Sequence, residues 1–168
     1  ASFLVIIWQG MKPWIKIDIP FIAATEIQWY NIFKIFKKIQ EFAGRIAYGS
    51  DELKISGYAF IGMIPFLLWA IAGLSILYVG YLLYTKERKI KILEAAGWAM
   101  QLSMAASALS VVVLLSIGVF LSSEMEGMID LDFIKPTTAN YIVLIVSFLA
   151  WKVVIPRYQG ELEGTYLE

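Results

Sequence analysis

The sequence contains neither cysteine nor histidine, and its charged residues balance to a formal net charge of +0. Without cysteine the chain cannot form disulfides, use a thiolate nucleophile or hold a thiolate-bound metal. Without histidine it lacks the usual ligand for haem, copper and zinc, and the usual proton shuttle near neutral pH. A neutral chain has no basic excess for nucleic acid. We therefore expect no cofactor, no metal site, no nucleic-acid partner and no enzymatic activity.

Long stretches of the chain carry no charged side chain. The sequence is 60% hydrophobic, and its mean hydropathy is +0.70. About 20 predominantly apolar residues are enough for a helix to cross a bilayer, and a soluble domain of this length has too little interior to bury several such runs. The sequence therefore predicts an all-α, polytopic membrane helix bundle over residues 55–156. Its three full transmembrane spans are expected at about 55–84, 95–121 and 137–155.

The N-terminal residues are apolar, but they are too few to cross a membrane. As a helix, residues 1–8 would cover roughly 12 Å of a hydrocarbon core that is about 30 Å thick. Residues 1–9 are therefore interpreted as an apolar interfacial anchor or as the end of a truncated first span. The remnant of a trimmed signal sequence is the competing interpretation.

Two patterns occupy the extramembrane segment, residues 10–54. From Pro13 to Pro20 apolar and polar residues alternate, which predicts a short extended segment. Thr25 then opens a capping-box pattern, and apolar residues recur at spacings of three and four. This predicts an amphipathic helix at about 25–47 that lies in the membrane interface. Its polar face is mostly basic, and we expect contact with lipid, anionic lipid in particular, or with another subunit through Lys34, Lys37, Lys38 and Arg45.

The loops differ in charge. The loop at 85–94 carries four basic residues, whereas the loop at 122–138 is acidic apart from one lysine. Because basic loops favour the cytoplasmic side, we expect loop 85–94 and the polar tail at 157–168 to be cytoplasmic. The last span is expected to end at Pro156, and the tail is expected to be mobile. Carboxylates could bind Ca²⁺, but the acidic loop lacks the glycine placement of an EF-hand, so we interpret these as solvated: Glu124, Glu126, Asp130 and Asp132.

The second span carries a stripe of small residues. Small side chains one helical turn apart let a neighbouring helix approach closely, which is how helices associate in lipid. Gln101 lies in the same span, and we expect its amide to hydrogen-bond to a neighbouring helix. The stripe predicts a packing face, either for the chain's own spans or for another chain, formed by Ala95, Ala99, Ser103, Ser107 and Ser110.

A complete first span would give four helices with a long first outer segment, a tight basic inner loop and a short second outer loop. That outline is similar to claudin-like four-span proteins. The resemblance covers topology alone, because the family's signature of Trp, Gly-Leu-Trp and paired Cys is absent. Trp8, Trp14 and Trp29 do not reproduce it, and the chain has no cysteine. The resemblance therefore implies no activity, partner or site residue here.

The sequence constrains location more than function. Asp, Glu, Lys, Arg and His are absent from the interior of the predicted spans, which argues against proton or ion transport. The hypothesis that fits best is a non-catalytic integral membrane subunit that scaffolds or stabilises a larger complex of respiratory or oxidase type, with other integral membrane subunits and lipids as partners. The alternatives are a self-assembling envelope or membrane-remodelling protein, as a homo-oligomer, and a small oligomeric channel or transporter. The scarcity of Cys, Asn and Gln also fits a thermophilic source.

Overall fold

The computed structural model describes residues 1–18, 24–31, 34, 52–124 and 134–165, with the backbone alone for 30, 52–60, 62, 121, 124 and 165. Within these residues the chain is mostly helical, with one small sheet. In chain order the elements are α1 (Ser2–Gly10), β1 (Ile15–Ile17), β2 (Thr25–Ile27), a 3-10 turn (Trp29–Asn31), α2 (Glu52–Tyr84), α3 (Lys89–Glu124), β3 (Ile134–Pro136), α4 (Thr138–Leu149), a π-helical turn (Ala150–Val154) and α5 (Ile155–Thr165).

Three helical segments of the described chain are long and apolar enough to cross a membrane. They are α2, α3, and the continuous run of α4, the π-helical turn and α5. The most apolar windows of the three have mean hydropathies of 2.1, 2.2 and 1.8. The prediction of three helices of membrane-spanning length and composition is therefore confirmed.

A tight turn joins α2 and α3 into an antiparallel hairpin. The N–H of Glu87 donates to the carbonyl of Leu82 over 3.1 Å, and the N–H of Lys86 donates to the carbonyl of Leu83 over 3.3 Å. These two bonds form a Schellman motif, in which the residue after the helix adopts a left-handed conformation. Lys86 does so, with a φ of 54°. The connection is shorter than predicted, because α3 already begins at Lys89. We call this end of the bundle the loop end.

The third long helix does not end at Pro156, which corrects the prediction. The π-helical turn lies immediately before α5, and α5 continues through Pro156 to Thr165. A proline lacks an N–H, and its ring clashes with the carbonyl four residues earlier. Here that carbonyl belongs to Lys152, inside the π-helical turn, where the regular hydrogen-bond ladder is already interrupted. Residues 157–165 of the predicted tail are consequently helical.

A small three-stranded antiparallel sheet in the order β2-β1-β3 accompanies the helices, and the all-α prediction did not include it. Ile15 of β1 lies opposite Ile27 of β2, and Ile17 of β1 lies opposite Ile134 of β3. β1 confirms the extended segment that the alternating pattern predicts. The sheet packs against α3 through β3. It lies at the end of the bundle where α1 ends and α4 begins, and we call this end the sheet end.

The amphipathic helix predicted at about 25–47 does not begin at Thr25. Thr25–Ile27 is strand β2, and a 3-10 turn follows it. Pairing with β1 gives the backbone groups of this segment their hydrogen-bond partners, so they do not need the side-chain partners of a capping box. Thr and Ile are also β-branched, and such residues fit a strand well. Lys34 has helical backbone geometry and an exposed side chain. Residues 32–33 and 35–47 of the predicted helix lie outside the described residues.

The short helix α1 packs against α4 and touches α2. Its Ile6 is only 1% exposed. Gly10 lies directly against the indole ring of Trp69 in α2, because a Cβ at residue 10 would stand 2.6 Å from Trp69 Cε2 and Cζ2. Trp69 in turn meets Trp14 edge to face, with ring centroids 6.3 Å apart. That α1 is the end of a longer span stays a prediction.

Helix α3 is the central element of the described bundle. In its most apolar window 44% of the residues are buried, against 17% for α2. Leu114 and Ile117 of α3, Val143 of α4, and Ile15 and Ile134 of the sheet belong to one buried hydrophobic cluster. α2 therefore contributes a narrow buried stripe and presents the rest of its apolar circumference outward.

Candidate functional site

One serine hydroxyl joins three elements at the sheet end. Ser110 Oγ in α3 accepts a hydrogen bond from the indole Nε1–H of Trp29 over 3.0 Å and another from Nδ2 of Asn140 over 2.9 Å. Trp29 follows β2 in the 3-10 turn, and Asn140 lies in the first turn of α4. The exposed fractions of Trp29, Ser110 and Asn140 are 1%, 0% and 0%. This polar network anchors the segment after α1 to the interior of the helical bundle.

Further buried hydroxyls continue this polar seam along α3 and α4. Ser103 donates to the carbonyl of Ala99 within its own helix over 2.8 Å. Ser107 Oγ, Ser147 Oγ and Asn140 Oδ1 are buried, with no hydrogen-bond partner in the part of the chain that is described. The buried polar side chains of the described residues are all serine, threonine or asparagine. Their chemistry at neutral pH is hydrogen bonding and close packing.

The stripe of small residues predicted on α3 is mostly buried by the chain itself. Ala99, Ser103, Ser107 and Ser110 have an exposed fraction of 0%, whereas Ala95 is partly exposed. Ser110 follows Ser107 by three residues, whereas the other members of the stripe are four residues apart. Its side chain is therefore rotated around the axis of α3, and it meets Asn140. Between the two alternatives that the sequence leaves open, the burial of these residues favours packing within the chain.

Among the described residues, the side-chain amide that bonds across two helices is that of Asn140 rather than that of Gln101. Gln101 is partly exposed and borders a groove at the loop end. Asn140 was missed because it stands near the predicted start of the last span, where polar residues are common. The sequence did carry a signal, since Asn140, Val143, Ser147 and Ala150 recur at helical spacing, and all four are buried.

Thr137 and Gln28 tie the sheet end together through the backbone. Thr137 Oγ1 donates to the carbonyl of Pro13 over 2.7 Å, and the N–H of Thr137 donates to the carbonyl of Trp14 over 3.0 Å. Gln28 Nε2 donates to the carbonyls of Gly10 and Lys12. The segment that follows α1 and the segment that precedes α4 are therefore one structural unit.

The other predicted site residues are described only in part. Of the basic set, Lys34 is exposed, while Lys37, Lys38 and Arg45 lie outside the described residues. Of the acidic set, Glu124 is the last residue of α3, and Glu126, Asp130 and Asp132 lie outside them as well. Within the described chain, no group of three or more Asp or Glu residues could hold a metal ion.

No family model, no curated protein and no solved structure matches this chain.

Proposed function

We propose that the protein is a non-catalytic integral membrane subunit that stabilises a larger membrane complex, of respiratory or oxidase type. The observation that carries the proposal is that the polar network joining the elements of the bundle is buried inside it, whereas its exposed faces are mostly apolar. The buried polar groups serve the chain's own packing, as in the network of Trp29, Ser110 and Asn140. The outward faces are apolar, and α2 buries only 17% of its most apolar window. Such a surface suits lipid and other apolar helices.

The face of α2 that we assign to a partner helix has coiled-coil spacing. The spacing between its residues alternates between four and three positions. Two helices that pack against each other at a shallow crossing angle make contact through residues with this spacing. All are large, and their exposed fractions lie between 49% and 67%. Two of its tyrosines stack, with ring centroids 6.5 Å apart. This docking face consists of Leu67, Ile71, Leu74, Tyr78 and Tyr81.

We further place the loop end on the cytoplasmic side. The turn and the first residues of α3 carry four basic side chains close together, which favour that side. One of them, Lys91, pairs with Glu87 at 3.6 Å, so the local excess of positive charge is smaller than the count suggests. The placement therefore rests on the remaining bases, Lys86, Arg88 and Lys89.

The test is purification from the native membrane in mild detergent, followed by native mass measurement. We expect other integral membrane chains to co-purify with the wild type. Leu74→Trp adds bulk to the docking face without adding charge and should release these chains. Ile145→Trp, at an exposed position of α4 (57%), is the matched control and should retain them. A wild type that purifies alone in its native mass would overturn the proposal.

One observation favours a second candidate, a self-assembling structural protein. An added Cβ at Gly73 or Gly80 of α2 would meet nothing within 4 Å, and open glycines on an apolar helix allow a second copy to approach closely. In the same experiment a homo-oligomer without other chains would replace the first proposal with this one.

A further inference from the structure

A groove of 280 Å³ lies at the loop end, between the first turns of α3 and the junction of the π-helical turn with α5. Its wall is amphipathic, because acidic, amide and aromatic side chains stand beside aliphatic ones. The residues that carry its chemistry are Glu94, Gly97, Trp98, Gln101, Trp151 and Gln159. The polar network at the sheet end does not involve any of them.

The carboxylate of Glu94 is the charged group of the groove. Glu94 is exposed, and no cation of the described residues lies within ion-pair distance of it. The nearby bases Lys91 and Arg157 pair with Glu87 and Glu161 instead. A carboxylate at the end of an apolar helix is thus available to a ligand cation.

Two tryptophans line the groove, and the exposed one, Trp98, supplies a second attraction for a ligand cation. The Trp98 side chain is 67% exposed, and Trp151 stands in the π-helical turn across the groove. Indole faces attract ammonium groups, and quaternary ammonium ligands are commonly held between aromatic rings. Trp151 already accepts such a contact, because Lys152 Nζ lies 4.0 Å from its ring centroid. Lys152 therefore places a positive charge beside the groove.

The groove residues follow the helix axis in a definite order. Glu94, Trp98 and Gln101 stand on one face of α3 at spacings of four and three. With a rise of 1.5 Å per residue, Trp98 lies about 6 Å and Gln101 about 10 Å deeper in the bundle than Glu94. Between them Gly97 leaves open space, since an added Cβ there would meet nothing within 4 Å. An elongated ligand can lie along this face.

We propose that the groove binds the headgroup of a zwitterionic phospholipid, with an ammonium group joined to a phosphate. The ammonium lies at Glu94 and the indole ring of Trp98, the phosphate lies toward Lys152, and the glycerol oxygens lie toward the amide of Gln101. The occupant is a lipid because the groove opens at the end of helices of membrane-spanning length, where headgroups meet tryptophan belts. The π-helical turn forms one wall, and such turns are frequent at functional sites.

The experiment measures lipid binding to the purified full chain by native mass spectrometry in detergent. Phosphatidylethanolamine, phosphatidylcholine and phosphatidylglycerol with identical acyl chains are titrated separately. We expect the two ammonium lipids to bind about fivefold more tightly than the glycerol lipid, the ratio that one exposed ion pair or cation–π contact provides. Equal affinity for all three lipids would overturn the proposal.

Two pairs of variants locate the site. Glu94→Gln should abolish the preference for ammonium lipids, whereas Glu163→Gln, a change at an exposed carboxylate of α5, should leave it intact. Gly97→Leu fills the groove and should weaken binding about fivefold, whereas Gly80→Leu fills equally open space on α2 and should not. Unchanged binding by both Glu94→Gln and Gly97→Leu would refute the location, and circular dichroism checks that each variant is folded.

A competition experiment distinguishes a membrane lipid from a free metabolite. Soluble glycerophosphoethanolamine in excess should leave bound phosphatidylethanolamine in place, because acyl chains add apolar contact. Displacement at a concentration equal to that of the lipid would mean that the groove recognises a free headgroup, and this would overturn the proposal of a lipid. These measurements use the isolated chain, so their outcome is independent of whether the protein is a subunit of a complex.

Discussion

Trp29 donates its indole N–H to Ser110 Oγ over 3.0 Å, although 81 residues separate them in the chain. The bond anchors the segment after β2 inside the bundle. Ser110 Oγ also accepts a hydrogen bond from a second donor, Asn140 of α4. Where water is excluded, a polar group without a partner is costly. The shared hydroxyl therefore links the sheet to two long helices at one point.

Ser110→Ala should lower the free energy of unfolding by about 1–3 kcal/mol, because it leaves two buried donors without their acceptor. Ser107→Ala is the matched control on the same helix. Ser107 is equally buried, yet its hydroxyl has no partner among the described residues, so its removal should change stability by less than about 0.5 kcal/mol. The measurement is unfolding in detergent, followed by tryptophan fluorescence and circular dichroism. Equal losses for the two variants would contradict the role of Ser110.

Lys86→Gly should raise the free energy of unfolding by about 1 kcal/mol. Lys86 holds a φ of 54°, and a left-handed conformation costs a residue with a Cβ roughly 1–2 kcal/mol, which glycine avoids. Lys86→Ala removes the charge and keeps the Cβ, so it should give no gain. Thermal unfolding of both variants checks this. A gain with alanine equal to that with glycine would assign the effect to charge instead.

Gly10→Ala should destabilise the fold by about 1–3 kcal/mol through overpacking. The added methyl group would press on the ring of Trp69, which is itself packed against Trp14. Gly80→Ala adds the same group where nothing lies within 4 Å, and the gain in helix propensity should stabilise by up to about 1 kcal/mol. Opposite signs in thermal unfolding are expected. If both variants lowered the thermal stability, the effect would come from replacing a helical glycine and not from the contact between residue 10 and Trp69.

The pairing of β1 with β3 can be tested by cross-linking, and the natural absence of cysteine makes the test clean. Lys16 and Lys135 are opposite residues in the register. Opposite Cα atoms in an antiparallel pair lie about 4.5–5.5 Å apart, within the range that a disulfide spans. Lys16→Cys with Lys135→Cys should therefore form a disulfide on mild oxidation, seen as a mobility shift that a reductant reverses.

The control for the cross-link pairs Lys16→Cys with Glu87→Cys, which lies at the loop end. This pair should stay reduced inside one chain under the same conditions. Failure of the Lys16–Lys135 pair to react while the protein is folded would contradict the sheet register.

The long helices could be predicted because hydropathy acts over some 20 consecutive residues. The ends of these helices could not be predicted in the same way. The first turn of α3, from Lys89, and the last turns of α5, to Thr165, are polar, so hydropathy does not mark them as part of a long helix. The strand β1 was visible in its alternation, whereas its partners were not. Sheet pairing joins distant segments such as Lys16 and Lys135, and tertiary contacts can override local capping patterns like the one at Thr25.

The candidate sites show the same division. The small-residue stripe on α3 follows from spacing alone, and its burial agrees with that spacing. Which amide meets which hydroxyl depends on the rotation and offset of two helices, which set Asn140 rather than Gln101 against Ser110. The groove at Glu94 also depends on the π-helical turn, which interrupts a helix that the sequence presents as uniform.

By itself the sequence determined the number of long helices and the apolar character of their surfaces, because the solvation of side chains depends on local composition. The tertiary structure alone decided that Trp29 enters the bundle, that β3 completes the sheet, and that Gly10 accommodates Trp69. These contacts join residues far apart in the chain, and their geometry is fixed only when the helices have packed and donors such as the Trp29 indole N–H have met their acceptors.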